Sequence, residues 1–356
     1  MRHDHHGAET DGHPGGSPVA RDFARTPLIV SWETTQACGL ECDHCRAEAQ
    51  PERDPDELTT GEARTVIDQV ASFGHPAPVL VFSGGDPLER PDLFELLDYA
   101  DERGLPTAVT PAPTGNLTRD VVERFAEAGV RRMALSLDGP DADSHDTFRG
   151  ESGSYERIQR AAEWAREAGL SIQINTTVTA TTVTGLPGIA EHVSRLGAAM
   201  WEVFFLVPTG RGADLDQLSP TEADEVLAWL YRHQREVPYR VITVEAPQYR
   251  RVAREIDGDV TVGSTRAGSG FVFVSHRGRV YPSGFLPESA GSVREQSLVE
   301  LYRDAPLFER LRDPETFSGP CGDCEYRDLC GGSRSRAHAA TGDPFGSDPL
   351  CPLVAE

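Results

Sequence analysis

"TTQACGLECDHCRAEA", residues 34–49, places Cys38, Cys42 and Cys45 within eight positions. The apolar run before it, "PLIVSWE" (27–33), reads as a buried strand, so the cysteines fall in the loop at that strand's end. Thiolates are soft ligands that suit iron–sulfur clusters and zinc. Three are one short of the usual four, and a four-iron cube held by three thiolates keeps one iron open to a small molecule, much as catalytic zinc keeps an open position. Gly39 gives the loop freedom to turn its sulfurs inward. The plain alternative is three buried cysteines acting as small hydrophobes. The neighbours Glu41, Asp43, His44 and Arg46 do not suit a core, which leaves zinc as the stronger competitor.

Outward from this loop, strand-like and helix-like runs alternate. After 27–33 come a helix over 59–73, capped by Thr59 or Thr60, and a strand at "PVLVFSGG" (78–85). A helix at 91–104, a strand at 105–111, a helix near 118–128 and a strand at 131–139 follow. The alternation ends with a helix at 154–169, a strand at 171–179, a helix near 185–196, a strand at 199–208 and a helix at 219–237. Six β–α units in series demand a parallel α/β sheet with helices outside, either an open doubly wound sheet or a partial barrel. In both, the chemistry belongs at the C-terminal ends of the strands. Beyond residue 238 the rhythm breaks into a strand at 239–247, a hairpin over 270–284 turning at His276–Gly278, and short helices near 297–303 and 306–312. The expected division is a disordered tail over 1–25, a core over 26–237 and a smaller cysteine-rich α+β extension over 238–356. His3, His5 and His6 in the tail could bind stray metal, but a floppy segment is the simpler reading.

The 356 residues carry a net charge of −23 and no lysine. An acidic surface repels phosphate backbones, so nucleic-acid partners are disfavoured. Schiff-base and lysine general-base chemistry are excluded. A carboxylate-rich, lysine-free surface is also what a salt-adapted, halophile-like protein displays. No apolar run approaches the roughly 18 residues of a membrane span, and no signal-peptide pattern opens the chain, so a soluble cytoplasmic protein without a membrane partner is expected. Seven cysteines, clustered at 38–45 and 321–351, argue for metal or redox sites over a complete disulfide framework.

The C-x3-C-x2-C spacing, with His44 just before the third cysteine, resembles the radical S-adenosylmethionine (radical SAM) superfamily. The resemblance implies a partial (β/α)6 TIM-type barrel and a metal-binding 4Fe–4S cluster on Cys38, Cys42 and Cys45. It further implies SAM chelated to the open iron. One electron then splits SAM into methionine and a 5′-deoxyadenosyl radical, which abstracts hydrogen from a substrate. An electron donor such as ferredoxin or flavodoxin is implied as well. "SGGDP" (83–87) resembles the family's glycine motif, which assigns Gly84, Gly85 and Asp86 to SAM binding; Asp86 stands where Glu is commoner. By the same resemblance Ser136 and Asp138 of "SLDG", Asn175 and Thr177 of "NTTV", Arg149 of "HDTFRG" and Val207 of "LVPTGRG" are candidate SAM contacts. Each polar residue could instead cap a neighbouring turn, and Arg149 could form an ordinary salt bridge.

The second set, Cys321, Cys324, Cys330 and Cys351, has four thiolates and closes a site completely. Its spacing fits zinc and 4Fe–4S nearly equally. Beside a radical SAM core it resembles the SPASM extension, with these four as ligands of one auxiliary 4Fe–4S cluster. Ser283 and Arg334 stand where that extension usually has cysteines, and none lies between 46 and 320, so one auxiliary cluster is expected. A vacant inner site that leaves room for substrate is one consequence.

The resemblance is nearest to members that oxidise acid side chains of haem-type tetrapyrrole precursors, so an oxidoreductase of tetrapyrrole biosynthesis is the favoured function. A maturase of ribosomally made peptides is the runner-up, disfavoured because no leader-docking segment is seen upstream of residue 27. A non-catalytic zinc scaffold is the third reading. A polycarboxylate substrate needs local arginines, and Arg149, Arg211, Arg250, Arg251, Arg334 and Arg336 are the candidates. Asp138, His145 and His276 are candidate proton carriers near the expected mouth.

Overall fold

The computed structural model describes residues 21–258 and 265–355. His3, His5 and His6 lie outside the described residues. Residues 21–25, expected in the tail, are tied down. Arg21 donates to the carbonyls of Pro27 (2.5 Å) and Ala77 (3.2 Å), and the Tyr302 hydroxyl donates to the carbonyl of Phe23.

The chain runs β1 (Ile29–Glu33), α1 (Thr60–Ala71), β2 (Val79–Ser83), α2 (Leu93–Glu102), β3 (Thr107–Val109), α3 (Arg119–Glu127), β4 (Arg132–Ser136), α4 (Ala142–Arg149) and α5 (Ser154–Glu167). It continues β5 (Ser171–Val178), α6 (Leu186–Leu196), β6 (Met200–Phe205), α7 (Pro220–His233), β7 (Arg240–Val244) and α8 (Gln248–Asp257). The C-terminal part holds β8 (Arg266–Ala267), β9 (Gly270–Val274), β10 (Arg279–Tyr281), β11 (Gly291–Ser292), α9 (Leu298–Asp304), α10 (Pro306–Arg312), α11 (Gly319–Gly322), α12 (Arg334–Thr341) and α13 (Pro352–Ala355).

Local chemistry accounts for the helix starts. Thr59 and Ser219 each form a reciprocal capping box, with Glu62 and Glu222, worth about 1 kcal/mol per cap. Helix α1 then buries Val66, Ile67 and Val70 against the sheet, roughly 1.5–3 kcal/mol for each side chain.

Strands β1 to β7 pair in sequence order, all parallel. The six β–α units predict six of these, and β7 adds in parallel to the free edge of β6. At the other edge β9 pairs in parallel with β1, and β10 and β11 continue antiparallel. The path from β11 to β7 does not close among the described residues, so the barrel is partial. The expected boundary at 237/238 therefore does not separate two sheets: the C-terminal segment covers both open edges of the core sheet, where unpaired N–H and C=O groups would otherwise stand exposed.

Along β5 the side chains alternate. Ile172, Ile174, Thr176 and Val178 are buried against the helices, and Asn175 and Thr177 point into the barrel. Loops at the strands' C-terminal ends surround one cavity there.

Candidate active site

The cavity measures about 1170 Å³ out to its open mouth. Cys38, Cys42 and Cys45 form one wall, and Ser83, Gly84, Gly85, Thr110, Ser136, Asn175 and Thr177 rise from the strand ends of β2, β3, β4 and β5. Phe204, Val207 and Phe285 complete the rim, together with Arg46, Arg149 and Arg211. Of the expected SAM contacts, Gly84, Gly85, Ser136, Asn175, Thr177, Arg149 and Val207 are thus brought together with the first cysteine set.

Three elements clamp the cysteine loop. First, the ladder between β1 and β2 continues into the loops. Gly85 N–H donates to the Thr35 carbonyl (2.9 Å) and Asp86 N–H to the Ala37 carbonyl (2.7 Å). A Cβ on Gly84 would lie 2.5 Å from the Thr35 carbonyl oxygen, and one on Gly85 would lie 2.3 Å from that of Ala37. The glycines are therefore required by the loop packed on them, whatever their backbone offers a ligand on the cavity side. Second, the C-terminal end of α4 packs on the loop. Phe148 stacks on His44 with centroids 4.6 Å apart, and Arg149 Nη1 reaches the Cys42 sulfur at 3.8 Å. Third, Arg211 donates from Nε to the Cys42 carbonyl (2.9 Å) and from Nη1 to that of Ala49 (3.2 Å).

Two expected SAM contacts are absent from the cavity lining. Asp86 is fully buried and accepts hydrogen bonds from Leu88 N–H (3.1 Å), Ala112 N–H (3.3 Å) and the Thr114 hydroxyl (3.1 Å). It is a loop brace, and burial lifts its carboxyl to about 6. Asp138 lies behind the wall, accepting from Arg149 Nε (2.7 Å) and Thr177 N–H (2.6 Å). Burial alone would raise its carboxyl, but Arg149 holds it below the ordinary carboxylate range. His145 is a satisfied core histidine. Its Nδ1 accepts from Asp138 N–H (3.1 Å), so Nε2 carries the proton toward the Ser154 hydroxyl (3.1 Å), and burial drops its pKa to about 4. His276 lies outside the cavity lining as well. None of the three expected proton carriers faces the cavity.

Arg46 was passed over in the sequence because its place beside Cys45 reads as loop polarity. Its guanidinium lies 4.4 Å above the Phe273 ring and 3.4 Å from Glu33. His276 Nδ1 meets the other Glu33 oxygen at 2.6 Å.

The second cysteine set lines a separate, small pocket formed by Cys321, Cys324, Cys330 and Cys351 with Gly331 and Gly332. Backbone N–H groups point at its sulfurs: Tyr326 at Cys324 (3.4 Å), Gly332 at Cys330 (3.4 Å) and Asp348 at Cys321 (3.5 Å). In the first set Leu40 N–H points at Cys38 (3.4 Å). Donors aimed at sulfur suit thiolate ligands, since N–H···S bonds stabilise their charge. Burial pushes the Cys38 and Cys330 thiols up to about 12 and Cys351 to about 11, so an attached metal is what would deprotonate them. Among the described residues no three His, Cys, Asp or Glu are grouped about a single ion. Donors aimed at sulfur and buried thiols suit metal ligation at both sets, with three cysteines on the first cavity and four on the second.

The expected vacant inner site is filled. Glu245, in a left-handed backbone conformation (φ 55°), accepts hydrogen bonds from the hydroxyls of Ser283 (2.7 Å), Ser335 (2.9 Å) and Ser333. Arg334 donates to the carbonyls of Pro344 (3.1 Å) and Gly346 (2.7 Å). Arg336, fully buried, pairs with Asp348 (3.0 Å) and donates to the Glu245 carbonyl (2.8 Å). Arg251 pairs with Asp224 and Glu255, and Arg250 donates to the Leu329 carbonyl (3.1 Å). These four arginines, expected as substrate ligands, are spent on holding the C-terminal segment together.

No helix among the described residues is long and apolar enough to cross a membrane. A family model described as the radical SAM superfamily matches residues 32–193. The chain is 42% identical over 343 residues to an AdoMet-dependent heme synthase of Methanosarcina barkeri, covering 92% of this chain and 97% of that protein. It is 32% identical over 337 residues to mycofactocin maturase MftC of Mycobacterium ulcerans, covering 91% of this chain and 88% of that protein. In fold it resembles SuiB of Streptococcus suis bound to S-adenosylmethionine, with a TM-score of 0.74 at 17% identity over 92% of this chain and 78% of that one.

Proposed function

Because the chain belongs to the radical SAM superfamily, we propose that it is an oxidoreductase acting on a carboxylate-bearing side chain of a haem-type tetrapyrrole precursor. The family's cofactors are a 4Fe–4S cluster and SAM. We assign the cluster to Cys38, Cys42 and Cys45, SAM to the edge formed by Gly84, Gly85, Ser136 and Asn175, and one auxiliary cluster to Cys321, Cys324, Cys330 and Cys351. When bound, the cluster and SAM together supply one-electron cleavage of a C–S bond and abstraction of a hydrogen atom. The chain's own residues do the rest. Gly84 and Gly85 fix the loop, Asp138 and Arg149 set a paired charge behind Cys42, and Phe204, Val207 and Phe285 exclude water at the rim. A low-potential donor of the ferredoxin or flavodoxin class supplies the electron.

The single observation that carries the tetrapyrrole reading is the 42% identity to the heme synthase across 97% of its length. The maturase reading rests on 32% identity. The test is to reconstitute the protein anaerobically, reduce it, add SAM, and measure 5′-deoxyadenosine with an iron porphyrin bearing propionates or with a peptide. Stimulation by the porphyrin alone is expected. Stimulation by the peptide alone would move the assignment to a maturase, and a colourless protein with one zinc would move it to a scaffold.

A further inference from the structure

The cavity presents three guanidinium groups. Arg149 is paired with Asp138, and Arg211 holds the carbonyls of Cys42 and Ala49 through Nε and Nη1, with only its Nη2 left unpartnered. Arg46 differs. Its ion pair with Glu33 is 3.4 Å long, beyond the 2.7–3.2 Å range of an N–H···O hydrogen bond. Glu33 is held more closely by His276, at 2.6 Å, while Asp54 is held by Arg277. Glu33 is thus shared between His276 and Arg46, and Arg46 is its more distant partner.

The group is also held flat. Phe273 lies on one face, 4.4 Å from the guanidinium carbon, and the Gly284 backbone lies close by. A Cβ on Gly284 would come within 3.1 Å of Arg46 Nε and 3.3 Å of Cζ, so a larger residue there would press on the guanidinium and shift it by a few tenths of an ångström. A guanidinium stacked on a ring and fixed in a pocket keeps its N–H fork oriented at little entropic expense, the geometry that suits bidentate binding of a carboxylate.

We propose that Arg46 is a substrate-binding residue that receives a carboxylate of the substrate on the cavity side of its guanidinium, with Glu33 as the distant partner on the other side. This rests on the tetrapyrrole reading above and deepens it, by assigning to one residue the discrimination between acid and esterified side chains.

The test uses the reconstituted holoprotein and two probes, an iron porphyrin with four propionates and its tetramethyl ester, with binding followed by the porphyrin absorbance. The wild type is expected to prefer the acid. Arg46→Gln should weaken acid binding about tenfold to a hundredfold, the loss expected for a charge-assisted hydrogen-bond pair, and leave ester binding unchanged. Its KM should rise with little change in kcat, and Arg46→Lys should recover part of the affinity. Iron content measured in parallel reports whether Cys45, the adjacent ligand, is still held. If Arg46→Gln loses iron, Gly284→Leu is the second probe: its larger side chain pushes into the space of the guanidinium without removing charge and should weaken acid binding alone. Equal acid affinity in wild type and an iron-replete Arg46→Gln, or in an iron-replete Gly284→Leu, overturns the assignment of Arg46 while the tetrapyrrole reading stands. A wild type that binds neither porphyrin overturns both.

Discussion

Arg149 donates from Nε to Asp138 Oδ2 at 2.7 Å, and the same guanidinium reaches the sulfur of Cys42 at 3.8 Å. Both partners are buried, and a buried pair is most costly when only one member is removed. Arg149→Met should therefore destabilise the protein by about 3–5 kcal/mol, and the double variant Arg149→Met with Asp138→Leu by clearly less. Anaerobic denaturant titration measures both. Equal losses in the single and double variants would show that the pair is not coupled.

Gly85→Ala sets a methyl group 2.3 Å from the Ala37 carbonyl, a backbone atom that cannot swing away. The loop must shift, at about 1–3 kcal/mol for overpacking. The N-terminal site should lose iron while the C-terminal site keeps its own. Full iron loading in this variant would mean that the loop does not depend on the close approach of residues 84–85.

Much of this architecture is readable from residue order. Gly- and Pro-bounded apolar runs gave six strands, and caps such as Thr59 with Glu62 gave helix starts, because those signals act within a few residues. Helix α4 was missed: eight residues long, it carries little apolar periodicity, and its start depends on Asp141 accepting from Ser144 N–H (2.9 Å). Helix α8 was missed as well, since its buried side chains include Arg250 and Arg251, which read as candidate substrate ligands until their partners on α7 and in the C-terminal loops are known. The pairing of β9 with β1 joins residues some 240 apart in sequence, a relation no local pattern encodes. In the site, cysteine spacing and glycine pairs were legible. Arg46 was not, because its role depends on Phe273 and Gly284 from a distant hairpin. Asp86 and Asp138 sat in motifs that resemble ligand-binding ones, yet folding turned both carboxylates into the wall.

The four-thiol cavity at Cys321, Cys324, Cys330 and Cys351 distinguishes iron from zinc by elemental analysis. Two cubane clusters predict about eight irons per chain, and Cys330→Ser should remove about four of them. One zinc per chain, lost on the same substitution, would reassign that site as a closed zinc centre.

Stability near His276 should depend on pH. Burial lowers the imidazole pKa, but Glu33 at 2.6 Å and Asp54 at 3.3 Å outweigh it, and the net shift is upward. A group whose native pKa is raised stabilises the fold fully below its unfolded pKa, about 6.5, and loses that contribution as pH rises through the native value. The stability gap between wild type and His276→Gln should therefore be widest below about pH 6.5 and narrow as the pH rises above it. A gap that stays constant over this range would place no titrating ion pair at His276.

The account depends most on Cys38, Cys42 and Cys45 as a three-thiolate site with one open iron position. Replacing all three by serine, then measuring iron content and 5′-deoxyadenosine release from reduced protein with SAM, tests it directly. Loss of about half the iron and of all nucleoside release is expected, with the C-terminal iron retained. Unchanged iron and unchanged nucleoside release would contradict it.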